Sequence, residues 1–335
     1  MIKKYSLLHY LQRQIIDQAA LLPSAFRDIP DWEGYKADLR EKLPGLLPVV
    51  KNIHTGKGKS TGVFGLSGNL VLETLDIQID QDLFAPVYLY RKKGAGISPA
   101  VIMCPGYGTP ANTDFYVSFA MALAEEGIAA AVVEYGGTGL TADRPDFHTD
   151  INNIATAATL LGMNEAGFRV SYNISLFEYL KAREDIHSGK IGITGLCQGA
   201  ITTAFTVAVE QGFAACAPLC GVTTYEAESV EYASRQGGWT GVSPFVSGIL
   251  KEADFQHLLA CFAPGPMLLQ NNITDIHWPL SGYGKARDFI QGIYALYESG
   301  DKCVFGLEHA PHSYEGSHAQ NILRFFKDNL SREKA

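Results

Sequence analysis

The sequence predicts an α/β protein: a mostly parallel central sheet with helices on both faces, a helical N-terminal extension and a cap insertion. Three observations predict it. Beyond Ala100, short apolar runs alternate with stretches of helical period, and alternating strands and helices mean a parallel sheet. One apolar strand, 190–196, leads straight into a helix through the small residues Gly195 and Gly199. After Leu219 the alternation lapses for about forty residues rich in Gly, Ser, Tyr and Glu and then resumes, which reads as a cap over the sheet.

Taken in order, Leu7, Leu8, Leu11, Ile15, Ile16 and Ala19 recur at helical spacing, and Pro23, Pro30, Pro44 and Pro48 punctuate the next stretch, giving a helical extension over 1–68. Period two then takes over. Val71, Glu73, Leu75, Ile77 and Ile79 form one run and Ala85, Val87 and Leu89 the next, which predicts two antiparallel strands. The first part of the core, 69–220, continues with strands at 100–104, 128–135, 190–197 and 213–219 and helices at 115–127, 174–186 and 201–212. The cap takes 221–264. The second part, 265–335, carries a strand at 266–270, a helix at 284–297, a strand at 302–307 and a last helix at 320–329.

Composition narrows the function. The chain has 335 residues, 47% hydrophobic and 19% charged, enough to bury a sizeable core. With 27 Lys and Arg against 35 Asp and Glu, net charge −8, no basic stripe exists for phosphates, so nucleic acid is not an expected partner. No window approaches a spanning length of uncharged apolar residues, which argues against a membrane. His9, Gln12, Arg13, Gln14 and Asp17 interrupt the N-terminal apolar run, unlike a signal peptide. Six scattered cysteines without CxxC spacing (Cys104, Cys197, Cys216, Cys220, Cys261, Cys303) fit a reducing cytoplasm.

The segment that carries chemistry is Lys190-Ile-Gly-Ile-Thr-Gly-Leu-Cys197-Gln-Gly199-Ala200, a strand ending in G-x-C-x-G before a helix. This matches a nucleophile elbow, where flanking residues must be small because two backbones approach. Cys197 stands at the nucleophile position, at a helix N-terminus, where orphan N–H groups favour a thiolate. Cys104, Cys216, Cys261 and Cys303 lie inside apolar runs and read as inert core thiols. An ordinary thiol is only a few per cent ionised at neutral pH, so a histidine should accept its proton and a carboxylate should orient that histidine.

Chain order names the partners: nucleophile, acid, histidine, the last two on loops after the last two strands. Asp275 in NNITDIHWP and His312 in EHAPHSYEG satisfy it. His309 competes for the same role but follows its strand almost immediately and has less reach toward a central one, so His312 is preferred, and His277 lies close to the acid. Asp288 in a helix and Asp301 at a strand start read as surface charges. The backbone N–H groups of Tyr107, in the loop Cys104-Pro-Gly-Tyr107-Gly, and of Gln198 would form the oxyanion hole. No cofactor is expected, because Gly106-x-Gly108 lacks the third glycine of a dinucleotide loop. No metal is expected either, because the histidine spacings are not HExxH.

These residues resemble the α/β-hydrolase pattern, and within it the dienelactone-hydrolase-like and acetyl-xylan-esterase-like enzymes, over about 100–330. Beside G-L-C-Q-G, Glu134-Tyr-Gly-Gly-Thr-Gly-Leu is similar to a D-x-R-G-x-G-x-S stretch, and SLFEYLKAREDIHSGKIGITG to a helix-then-elbow segment. The run from Gly248 to Leu269 resembles one ending in A-P-R-P, and Asp275 with Pro279 a D-x-x-x-P turn. The resemblance implies hydrolysis at an activated carbonyl with Cys197, Asp275 and His312 as the triad. The sequence departs from these relatives in having cysteine where most acetyl-xylan-esterase-like members have serine, and Gly265 where they have arginine. It also has Cys-Pro-Gly-Tyr where dienelactone hydrolases carry a glutamate.

The expectation is therefore a hydrolase of an activated ester, lactone or thioester, taking a small-molecule carbonyl substrate through a thioacyl intermediate. Acyl transfer to an amine through the same intermediate, and a non-catalytic ligand-binding protein, are the alternatives; a homo-oligomer stays open. Within the cap, Tyr225, Tyr232, Trp239 and Phe245 read as sheet packing or as pocket wall, and Glu226, Glu228 and Glu231 as a solvated face.

Overall fold

The computed structural model describes residues 6–48, 56–144, 146–231, 243–275, 277–278 and 280–331. In the extension, α1 (Leu7–Ala19) and α2 (Ile29–Leu46) begin on side-chain caps. Ser6 accepts from the His9 N–H and Asp28 from the Asp31 N–H, satisfying donors a helix start leaves open. Trp32, Leu39 and Leu43 of α2 are fully buried, each contributing about 1.5–3 kcal/mol of burial.

Three antiparallel strands come next: β1 (Gly58–Leu66), β2 (Leu70–Asp80) and β3 (Leu83–Lys92). The extension over 1–68 is therefore not wholly helical, since β1 closes it. That strand is an edge with three glycines and exposed Val63 and Phe64. It carries no hydrophobic period and owes its conformation to its ladder with β2.

The core then runs β4 (Ser98–Cys104), α3 (Asp114–Glu125), β5 (Ala129–Val133), α4 (Phe147–Leu160), α5 (Glu165–Lys181), β6 (Ile186–Leu196), α6 (Gln198–Val209) and β7 (Ala215–Leu219). Sequence reading passed over α4, whose Thr- and Asn-rich stretch favours a helix weakly, and started α5 nine residues late, at Ile174 rather than Glu165. The late start has a clear cause: α5 is buried nearly all round, so it shows no one-sided period.

In the segment expected as a cap lie α7 (Tyr225–Glu231) and α8 (Phe255–Ala260); β8 (Met267–Asn272), α9 (Leu280–Leu296), β9 (Cys303–Glu308) and α10 (Gly316–Phe326) follow. Tyr232 and Trp239 lie outside the described residues. The expected solvated face of glutamates holds in part, since Glu226 and Glu231 are half-exposed and Glu228 is not. Glu228 is buried, Glu226 pairs with Lys285, and Glu231 accepts from Ser281, because α7 packs against α9.

Among the described residues the strands form one sheet ordered β1-β2-β3-β5-β4-β6-β7-β8-β9, parallel from β5 to β9. Alternation along each strand divides the core between two faces. Ala100, Ile102 and Cys104 point toward α2, α5, α6, α8 and α9, while Val101 and Met103 point toward α3 and α10. No described helix is long and apolar enough to cross a membrane.

Candidate active site

The strand β6 reaches its carboxyl end at Leu196, and the chain turns into α6 at Cys197, which has φ 61° and ψ −121°. That is a left-handed, costly conformation for a non-glycine residue. Two glycines make it sterically feasible. A Cβ on Gly199 would lie 1.9 Å from the Cys104 carbonyl oxygen, and one on Gly195 would lie 2.1 Å from that of Gly199. The loop carrying Tyr107 packs directly against the turn, since a Cβ on Gly106 would sit 3.2 Å from that of Cys197. Its Gly106 N–H is held at 2.8 Å by the buried Tyr116 hydroxyl.

Beyond the ends of β8 and β9, the structure brings together Asp275 and His312, with Nδ1 of the imidazole 2.6 Å from Oδ2 of the carboxylate. The other Asp275 oxygen accepts the His277 N–H at 2.8 Å. Burial of Asp275 opposes its charge, but the His312 bond and charge prevail and hold the carboxyl below its ordinary range. Burial likewise disfavours a charged His312, yet bonds to Asp275, Cys197 and Cys220 raise its pKa above the usual histidine value. The His277 ring stands 5.0 Å from that of His312. His309, by contrast, is exposed, as are Asp288 and Asp301, and Pro279 lies outside the described residues. Cys104, Cys216, Cys261 and Cys303 are buried, whereas Cys197 is partly open.

Two features of the site escaped sequence reading. Cys220, fully buried at the end of β7, shares His312 with Cys197. Its sulfur, a His312 nitrogen and an Asp275 oxygen lie within 4.8 Å of one another, a spacing that a thiophilic divalent cation could span. The signal was available, as Cys220 directly succeeds the strand paired with the elbow strand. Behind Gln198 lies a buried polar group, Glu165, Arg169 and Ser243, drawn from segments far apart in sequence.

The comparisons with known proteins bear on this geometry. No family model matches the chain. One curated protein, "Putative hydrolase YtaP" of Bacillus subtilis (strain 168), is 21% identical over 238 residues, 67% of this chain and 77% of its own length. Methylesterase BT1017 superposes with a TM-score of 0.75 at 17% identity, covering 96% of this chain and 69% of that one. A "putative acetyl xylan esterase" from Bacteroides fragilis NCTC 9343 gives 0.72 at 13%, covering 90% and 82%. A CE15 glucuronoyl esterase from Teredinibacter turnerae T7901 gives 0.63 at 14%, covering 94% and 90%. The fold is the α/β-hydrolase fold. In an α/β-hydrolase sheet the strand-to-helix turn after the central strand presents the nucleophile at the carboxyl edge, which is where β6 presents Cys197.

Proposed function

We propose that this protein hydrolyses activated carboxylic esters, lactones or thioesters through a thioacyl intermediate on Cys197. The observation that carries the reading is the juxtaposition of a strained Cys197 at the head of α6 with a His312 held by Asp275 at 2.6 Å. The Cys197 sulfur bonds to the carbonyl carbon while His312 takes the thiol proton, and the carbonyl oxygen gains the negative charge. Backbone N–H groups of Tyr107 and Gln198 stabilise that oxygen. The oxyanion collapses, the leaving group departs with the proton from His312, and a thioester remains. Water, deprotonated by His312, attacks that thioester, the C–S bond breaks and the proton returns to sulfur. Asp275 keeps the proton on Nδ1 and stabilises the imidazolium.

The esterase names of the fold neighbours support an ester as the bond cleaved. The cysteine at the elbow narrows it. A thiolate leaves more readily than an alkoxide, so a tetrahedral adduct of an ordinary alkyl ester returns to reactants, whereas enol esters, lactones whose leaving oxygen is an enolate, and thioesters go forward. This supports the dienelactone-hydrolase-like side of the resemblance. The six cysteines, free among the described residues, support action in a reducing compartment.

Intact-protein mass spectrometry after brief exposure to aryl esters, lactones and acyl thioesters tests the reading. An acyl adduct on wild type, absent from Cys197→Ala and slowed in His312→Ala, with free acid accumulating in water, is the expected result. An adduct that only added amines clear would make the protein an acyltransferase. Failure of every panel member to acylate Cys197 would overturn the reading.

A further inference from the structure

We propose that Glu165, outside the triad, is a positioning residue that aligns the two oxyanion donors with each other and with the cap. The inference rests on the hydrolase reading and names what holds its carbonyl-activating side in place. Glu165 opens α5 and is 4% exposed, and Arg169, one turn on, is 1% exposed. One Glu165 oxygen bonds the Arg169 Nε. The other accepts from Gln198 Nε2 at 3.1 Å and from the Ser243 hydroxyl of the cap at 2.7 Å. Gln198 Nε2 also donates to the Ser243 oxygen at 2.6 Å. Arg169 Nη1 donates to the Pro105 carbonyl at 3.2 Å, with its guanidinium 4.4 Å over the Tyr135 ring.

One carboxylate is thus joined, directly or through one side chain, to three separate segments. These are the residue after Cys197, the loop that bears Tyr107, and the cap. The two N–H groups assigned to the oxyanion sit on the first two of these. Oxyanion stabilisation depends on donors fixed before charge develops, and loses its effect when they drift.

Stability is a poor explanation for this group. A buried ion pair roughly breaks even against apolar packing of the same volume. Here, too, the Arg169 Nη2 and the Gln198 Oε1 are buried without a hydrogen-bond partner, an arrangement that costs stability. What the charged set supplies and apolar packing would not is direction. Ser243 adds the cap: its departure would strip one donor from Glu165 and loosen Gln198 together with it.

The test compares two reactions of the same sulfur. Acylation by an activated aryl ester puts negative charge on a carbonyl oxygen; alkylation by iodoacetamide forms an S–C bond and expels iodide without forming an oxyanion. In Glu165→Gln the acylation rate constant should fall about 10–100-fold, with the ester concentration for half-saturation unchanged and alkylation within about twofold of wild type. Ser243→Ala should show the same split to a smaller extent, and it carries the test if Glu165→Gln does not fold. Unchanged acylation in both variants overturns the proposal, as does an equal fall in both reactions. A wild-type protein that alkylates but acylates with no ester defeats the hydrolase reading and this inference together; one that acylates while both variants match it defeats only this inference.

Discussion

The Cys197 N–H donates to the Leu219 carbonyl at 3.0 Å, one step past the parallel pair Leu196–Leu219, which sets Cys220 beside the elbow. Two thiols therefore share one histidine. Their surroundings differ: burial pushes the Cys220 thiol up, despite its bond to His312, whereas Cys197 is partly open to solvent. Limited iodoacetamide should label Cys197 first, and Cys220→Ala should retain acylation within about tenfold, in keeping with the modest worth of one hydrogen bond. Peptide mapping that finds Cys220 labelled before Cys197 would reverse the assignment.

Removing the members of the proposed triad should give graded losses. Cys197→Ala should lose the adduct altogether, and His312→Ala should lower turnover about 10²–10⁴-fold. Asp275→Asn keeps the shape of the 2.6 Å contact but removes the charge that favours imidazolium, so its loss should fall in the same range. Steady-state kinetics at constant pH measures all three, and an Asp275→Asn enzyme with wild-type turnover would remove the carboxylate from the mechanism.

Gly199 tests the packing of the elbow through stability. An added Cβ would lie 1.9 Å from the Cys104 carbonyl oxygen, a rigid backbone atom that cannot yield. Gly199→Ala should cost about 3 kcal/mol or more, seen as a lowered urea midpoint. Gly284, whose Cβ would meet nothing within 4 Å, provides the control, and Gly284→Ala should leave the midpoint unchanged or raised.

The buried acids of the cap predict a pH dependence of stability. Burial, then the nearby Asp254, raises Glu228 to about 8, and burial raises Asp254 to about 6. Each folded-state pKa exceeds its unfolded value, so the folded protein binds the extra protons. Stability is fully present below the unfolded pKa values and is lost as pH rises through the folded ones. For Glu228 that window runs from about 4.5 to about 8, with a slope of up to about 1.4 kcal/mol per pH unit. Melting temperature should fall across the window in wild type and fall less in Glu228→Gln, and parallel curves would refute the assignment.

Much of the fold could be read from period alone, for a physical reason. Strands such as β4 and β6 feed side chains alternately to two faces, and their apolar runs announce it. Chain order pointed to Asp275 and His312, which the structure sets 2.6 Å apart. Where period is absent, reading failed: β1 is an edge strand shaped by its neighbour, and α5 is buried almost all round. The Glu165 group escaped for another reason. Its partners Gln198 and Ser243 stand 33 and 78 positions away, and nothing local in a Glu-x-x-x-Arg helix start distinguishes a buried pair from an exposed one.

The N-terminal helices are tied to the far end of the chain. The His257 ring meets the Pro23 carbonyl at 2.8 Å across 234 positions, the Tyr35 hydroxyl donates to the Glu252 carbonyl at 2.5 Å, and Tyr297 reaches Glu33. Synthesis from the N- toward the C-terminus exposes Trp32, Leu39 and Leu43 of α2 long before Phe289 of α9, whose ring stands against that of Trp32, follows more than two hundred residues later. At about 5–20 residues per second that is a wait of roughly ten seconds or more. The helix α2 is thus made well before the segments it docks on, and its apolar face stays open to a chaperone or a protease in the meantime.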